Sequence, residues 1–253
     1  MSYTILPTCD TLDRANAPAS ALARFDTVWL HGAGLAGDTW RPITTGYPRA
    51  LTPDLPGHGT TALVMPPRVE TYADALSELV PQGAVLIGHS LGGMVALELA
   101  ARLQDRIKAL ILIETVPTVR DRLTGRISAS LASKLFRSIP TSWLAWLSGL
   151  GESPTTRAEL QHQMARTDRA RIAAALEASA RYDGRPRLAQ ITVPTLLIVG
   201  KKNTATHHGT ALMAERIREA KLLRLPGGHM LHTDNPVQLR RSIEDFLCRS
   251  VPD

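Results

Sequence analysis

One stretch constrains this chain more than any other: Ala84-Val85-Leu86-Ile87-Gly88-His89-Ser90-Leu91-Gly92, running on into Met94-Val95-Ala96-Leu97-Glu98-Leu99-Ala100. An apolar run ends in a glycine, and a helix-forming run begins only a few residues later. So short a link between a buried strand and a helix forces a sharp turn with Ser90 at its apex. Glycines flank the serine because the turn brings neighbouring backbone too close for side chains and demands dihedrals that glycine alone adopts cheaply. The hydroxyl is then lifted clear of the backbone, and the first N–H groups of the helix can meet developing negative charge. The pattern predicts a nucleophilic serine at position 90.

Further apolar runs at Thr27 to Leu30, Ala50 to Thr52, Ile107 to Ile113, Val193 to Val199 and Lys221 to Leu225 read as short strands. They are mostly continuous rather than alternating, as strands covered on both faces are. Helical patterns separate them, near Leu76 to Leu79, Leu91 to Arg102, Ala211 to Arg218 and Pro236 to Cys248. Asp234 and Asn235 cap the last of these, and Pro236 suits its first turn. The alternation predicts an α/β fold: a mostly parallel central sheet with helices on both faces. A chain of 253 residues suits one such domain with an insertion.

Residues 117–186 carry no convincing strand, so they are expected to form a helical cap inserted between core segments 1–116 and 187–253. An insertion at the carboxyl end of a strand can roof the place where open α/β sheets bind ligands. Trp143 and Trp146 either line the inner face of that roof, beside the substrate, or pack the insertion's own core. The charge is concentrated there too. Between Pro117 and Arg187, eleven Arg and one Lys face six acids, a surplus equal to the formal +6 of the whole chain. Such a surplus suits solvated arginine-rich helix faces, or an anionic substrate or acidic carrier protein. Nucleic acid is not implied, because no zinc spacing, nucleic-acid fold signature or aromatic stacking pattern accompanies the charge. No apolar run reaches the ~18 residues that cross a bilayer, and no basic-then-apolar leader opens the sequence. A cytoplasmic protein without membrane insertion is therefore expected. Cys9 and Cys248 lack metal or disulfide spacing, and no cofactor or metal is implied.

Four motifs occur in order: His31-Gly32-Ala33-Gly34 after the first core strand, Asp54-Leu55-Pro56-Gly57-His58-Gly59 after the next, the Ser90 turn, and Gly227-Gly228-His229 after the last strand. Together they resemble the α/β-hydrolase family, in its broad group of cap-bearing esterases, lipases and C–C hydrolases. The resemblance runs from Val28 to Leu247. It implies that His229 takes the proton of Ser90 and that the backbone N–H groups of Ala33 and Leu91 meet the oxyanion. It also puts His31, Gly32 and His89 beside the substrate, although imidazoles in motif turns, such as His31 and His58, commonly play structural roles. His89 is expected to point away from the hydroxyl. His232 reads as structural, and His162, His207 and His208 as solvated.

The third member of the triad departs from the family pattern. An aspartate commonly stands three residues beyond the glycine that ends Thr195-Leu196-Leu197-Ile198-Val199-Gly200, and here that residue is Asn203. An amide cannot offset imidazolium charge; in serine proteases the corresponding Asp-to-Asn change lowers turnover by about 10⁴. Glu114 is the leading substitute. It follows the run Ile107 to Ile113, whose strand is expected beside the one carrying Ser90, and some cap-bearing relatives draw their acid from this place. Otherwise Glu114 caps a helix or pairs with an arginine, and Asn203 orients the ring weakly. Ser90, His229, Glu114 and two backbone donors suffice for acyl transfer from a small ester-like substrate: a carboxylic ester, a lactone or a thioester. C–C cleavage of a diketone-like substrate uses the same parts, and Asn203 leaves a non-catalytic ligand-binding homologue open.

Overall fold

The computed structural model describes residues 21–120 and 153–251. Strands β1 (Thr27–Leu30), β2 (Ala50–Leu51), β3 (Ala84–His89), β4 (Ile107–Ile113), β5 (Thr195–Gly200) and β6 (Ala220–Leu225) form one sheet in the order β2-β1-β3-β4-β5-β6. Every neighbouring pair is parallel. Parallel neighbours need crossovers, and the helices supply them. In chain order they are α1 (Ala21–Arg24), α2 (Arg41–Thr44), α3 (Val69–Leu76), α4 (Leu91–Arg102), α5 (Pro154–Ala165), α6 (Arg169–Arg181), α7 (His207–Arg216), α8 (Leu231–Asp234) and α9 (Pro236–Ser250).

Alternation along the central strands divides the core in two. Leu86, Leu110 and Leu112 pack with Val95 and Leu99 of α4 and Tyr72 of α3 on one face. Val85, Ile87, Ile111 and Ile113 pack with Leu239, Ile243 and Phe246 of α9 on the other. Both faces being covered, β3 and β5 are buried throughout, and β4 is buried at every residue except Lys108. That is why these strands read as continuous apolar runs.

The main departure from the sequence pattern lies before β3. The helix expected near Leu76 to Leu79 is a 3-10 turn, Ser77–Leu79, and it continues a longer helix, α3, that begins at Val69. Val69, Tyr72, Ala73 and Leu76 stand at i, i+3, i+4 and i+7, and all four are buried. Their single apolar face carries this helix despite β-branched Val69 and Thr71 in its first turn.

Among the described residues of 117–186 there are helices and no strand. A charge cluster around the buried Glu98 ties the end of this stretch to the core. Glu98 of α4 accepts hydrogen bonds from Arg102 Nε at 2.7 Å, Arg187 Nη2 at 3.0 Å and Tyr182 Oη at 3.2 Å. A buried carboxylate is tolerable only with such pairing. Trp143 and Trp146 lie outside the described residues.

Candidate active site

Ser90 closes β3 and precedes α4 with φ 54° and ψ −118°. It and Glu114 are the non-glycine residues with positive φ among those described, and each directly follows a central strand. The glycines around the serine are forced by close approach. A Cβ on Gly88 would lie 2.4 Å from the carbonyl oxygen of Gly92, and one on Gly92 would lie 2.3 Å from that of Leu30. Neighbouring elements hold the strained turn in place. The Ser90 N–H donates to Ile113 O at 3.0 Å, and Ser90 O accepts from Thr115 Oγ1 at 2.7 Å.

The loop after β1 lies directly against this turn: a Cβ on Gly32 would be 3.3 Å from Ser90 Cβ and 2.9 Å from His89 Nδ1. Two imidazoles pin the loop to the Asp54–Gly59 turn. Leu55 N–H donates to His31 Nε2 at 2.9 Å, and Gly34 N–H donates to His58 Nε2 at 3.1 Å. With Nε2 accepting, each ring carries its proton on Nδ1, directed at Gly32 O from His31 and at Pro56 O from His58. Both rings are therefore held neutral. Burial, and secondarily His58, pushes the His31 pKa down to about 3; burial also lowers that of His58.

The structure takes His31 and His89 out of the substrate-lining set, in keeping with the structural role and the averted ring also expected of them, and corrects the solvated reading of His207. His31 does not line an open pocket, because the ring is fully buried and both of its nitrogens are engaged by backbone. His89 is likewise buried, and its Nε2–H donates to His229 O at 2.9 Å. It packs behind the site, where burial, then His229 and His232, hold its pKa well below the usual histidine range. His207 is not simply solvated, since its Nε2 contacts Gly200 O at 2.9 Å. Short apolar neighbourhoods in the sequence do not reveal which loop carbonyl a histidine meets across the fold. His232 is buried against Thr39 Oγ1 at 3.0 Å.

His229 sits on the loop after β6, with its side chain 37% exposed. Its Nδ1 lies 3.6 Å from Glu114 Oε2 and 3.0 Å from Asn203 Nδ2. The Glu114 side chain is fully buried and accepts from Gly200 N–H, Asn203 Nδ2 at 2.6 Å and Thr206 Oγ1 at 2.7 Å. Three donors converge on this carboxylate, which orients the amide of Asn203 so that its NH₂ rather than its oxygen faces Glu114. Glu114 reaches this point because β4 lies between β3 and β5 and ends level with Ser90; the Glu114 N–H is bonded to Ile198 O at 2.9 Å. The structure thus brings Glu114, Asn203 and His229 together. The contact of Asn203 with both other groups is the part that sequence spacing alone left unresolved.

Four of the eight described arginines of the basic stretch are paired with carboxylates of the chain. Arg166 meets Asp38 at 2.7 Å, Arg181 meets Glu177 at 2.7 Å, Arg185 meets Asp183 at 2.6 Å and Arg187 meets Glu98 at 3.0 Å.

Comparison with known proteins agrees with this architecture. Residues 27–241 match the model of the alpha/beta hydrolase family. A pimeloyl-[acyl-carrier protein] methyl ester esterase from Aromatoleum aromaticum is 33% identical over 247 residues, spanning 88% of this chain and 98% of the relative. Among solved structures, a thermophilic esterase from Thermogutta terrifontis superposes with a TM-score of 0.78 at 22% identity, covering 89% of this chain and 90% of the other. MenH from S. aureus gives a TM-score of 0.78 at 23% identity, over 88% and 93% of the two chains. A parallel sheet with a serine at the β3–α4 turn, a histidine after the last strand and a family match over most of its length mark the chain as a member of the alpha/beta hydrolase family.

Proposed function

We propose that this chain is a serine ester hydrolase that acts on the methyl ester of an acyl chain held by an acidic carrier protein. The observation that carries the catalytic part is the buried Glu114 carboxylate 3.6 Å from His229 Nδ1, which supplies the charge that Asn203 lacks. An amide nitrogen at 3.0 Å can only donate to Nδ1, so turnover requires the Asn203 NH₂ to turn from the ring and a proton on Nδ1 to face Glu114 Oε2, which leaves Nε2 free to take the proton of Ser90. Ser90 Oγ then attacks the ester carbonyl, and the N–H groups of Ala33 and Leu91 receive the negative oxygen. The Leu91 N–H belongs to the first turn of α4, where no helical carbonyl can satisfy it. As the tetrahedral intermediate collapses, His229 returns the proton to the leaving alcohol. A water molecule, deprotonated in the same way, releases the acid and restores Ser90.

The substrate class rests on the names of the relatives and on the basic surplus of 117–186, which we read as the cap over the site. Hydrolysis of pimeloyl-carrier-protein methyl ester, measured beside simple methyl esters, lactones and thioesters, tests it, with Ser90→Ala as control. The expected result is the highest kcat/KM on the carrier-bound methyl ester, with a steeper fall as salt rises than for neutral esters. Equal salt dependence for carrier-bound and neutral esters would remove the carrier from the proposal.

A further inference from the structure

Helix α5 is held at both ends by carboxylates from core segments that flank the site. At its last turn, Asp38, just beyond the His31–Gly34 loop, accepts from Gln163 Nε2 at 3.0 Å and Arg166 Nη1 at 2.7 Å. At its first turn, Asp234 accepts from Ser153 Oγ at 3.1 Å and from Thr156 Oγ1, both on Oδ1. Between these ends, Leu160 and Met164 pack with Leu35, Ile172 and Met230. Met164 Cγ would lie 3.3 Å from a Cβ on Gly34, so the underside of the helix rests on the loop that carries Ala33.

Asp234 differs from Asp38 in where its second oxygen goes. Oδ2 accepts the backbone N–H of Gly228 at 2.8 Å, one residue before His229. One rigid, planar carboxylate therefore joins the first turn of α5 to the loop that presents the imidazole. Thr156 is fully buried, so water is not at hand to replace its bond to Asp234. The positive end of the α5 dipole adds to the hold on the carboxylate. Displacing α5 pulls on Oδ1, and the rotation that follows moves Oδ2 away from Gly228.

We propose that Asp234 is a positioning residue that makes the placement of His229 depend on the seating of α5, so that the base is in register with Ser90 when that helix is down. The inference rests on the assignment of Ser90 and His229 made above. It differs from a purely structural latch in what it predicts for a reagent too small to engage α5.

Thr156→Val keeps the shape of the side chain and removes the hydroxyl, and Ser153→Ala removes the second hydroxyl at an exposed position. The probe is phenylmethanesulfonyl fluoride: Ser90 Oγ bonds to sulfur, fluoride leaves, and the serine proton passes to His229. Its second-order rate of inactivation is measured against pH, with the modified residue identified by peptide mass. Both variants are expected to react about ten- to a hundredfold more slowly than the parent, the range expected for a misplaced base. For a small ester, kcat should fall in parallel while KM changes little. Failure of Thr156→Val to fold would leave Ser153→Ala to decide. Parent-like inactivation rates in the folded variants would overturn the inference alone. Absence of any modification at Ser90 in the parent protein would overturn the serine-hydrolase assignment, and the inference with it.

Discussion

Asn203→Asp restores the residue that relatives commonly carry, yet in this chain it should impair the enzyme at neutral pH. The amide nitrogen of Asn203 is 2.6 Å from Glu114 Oε2 and 3.0 Å from His229 Nδ1, so an aspartate oxygen in its place would face a buried carboxylate. Two charges about 4 Å apart, taken between carboxyl centres, repel by about 4 kcal/mol at an effective dielectric of about 20. Repulsion of that size drives the two side chains apart or holds a shared proton between them, and either outcome disturbs the contact that orients the imidazole. The kcat/KM of Asn203→Asp at neutral pH should therefore fall by about ten- to a hundredfold relative to the parent, as for a misplaced catalytic base. A rate identical to that of the parent would refute the reasoning, because position 203 could not then face both Glu114 and His229.

Other variants probe the surrounding structure. Glu114→Gln should lower kcat by about 10³ to 10⁴ with KM little changed, since the ring loses its charge partner and its tautomer control; a decrease below tenfold would point to Asn203 as the functional orienter. Glu98→Ala should cost about 1–3 kcal/mol in urea unfolding, because Arg187, Arg102 and Tyr182 lose their acceptor while both guanidiniums keep access to water, and the KM of a small ester should stay constant. Acid should destabilise the fold through its neutral histidines. His31 and His232 have pKa values pushed down to about 3, mainly by burial, whereas the unfolded chain takes up protons near 6.5. Stability is thus complete above about pH 6.5 and falls by up to about 1.4 kcal/mol per pH unit for each such ring as pH drops towards 3. Unfolding free energies that stay flat from pH 7 to pH 4 would contradict the buried, neutral assignment.

Much of this molecule was legible in the sequence because its strongest signals are local. The Ser90 turn, the apolar central strands and the histidine after β6 each announce themselves within a few residues, and each is found where the pattern puts it. Glu114 could be nominated because a polar residue ending a buried strand emerges at the edge where such sheets assemble their chemistry. What escaped depends on distant parts meeting. Nothing near His89 in the sequence indicates that its ring bonds the carbonyl of His229, 140 residues away. Likewise, Asp234 reads as a helix-capping residue until the fold shows both of its oxygens engaged, one by Gly228 and the other by α5. Helix α3 has a clear apolar face but poor helix formers in its first turn, and there burial outweighs propensity.

The central claim, a covalent acyl group on Ser90, is tested most directly by partitioning. Methyl and phenyl esters of one acyl group are hydrolysed in the presence of hydroxylamine, and the ratio of hydroxamate to free acid is measured for each. A common acyl-enzyme forgets its leaving group, so the account predicts one ratio for both esters and loss of both reactions in Ser90→Ala. Ratios that differ with the leaving group, together with turnover surviving in Ser90→Ala, would contradict it.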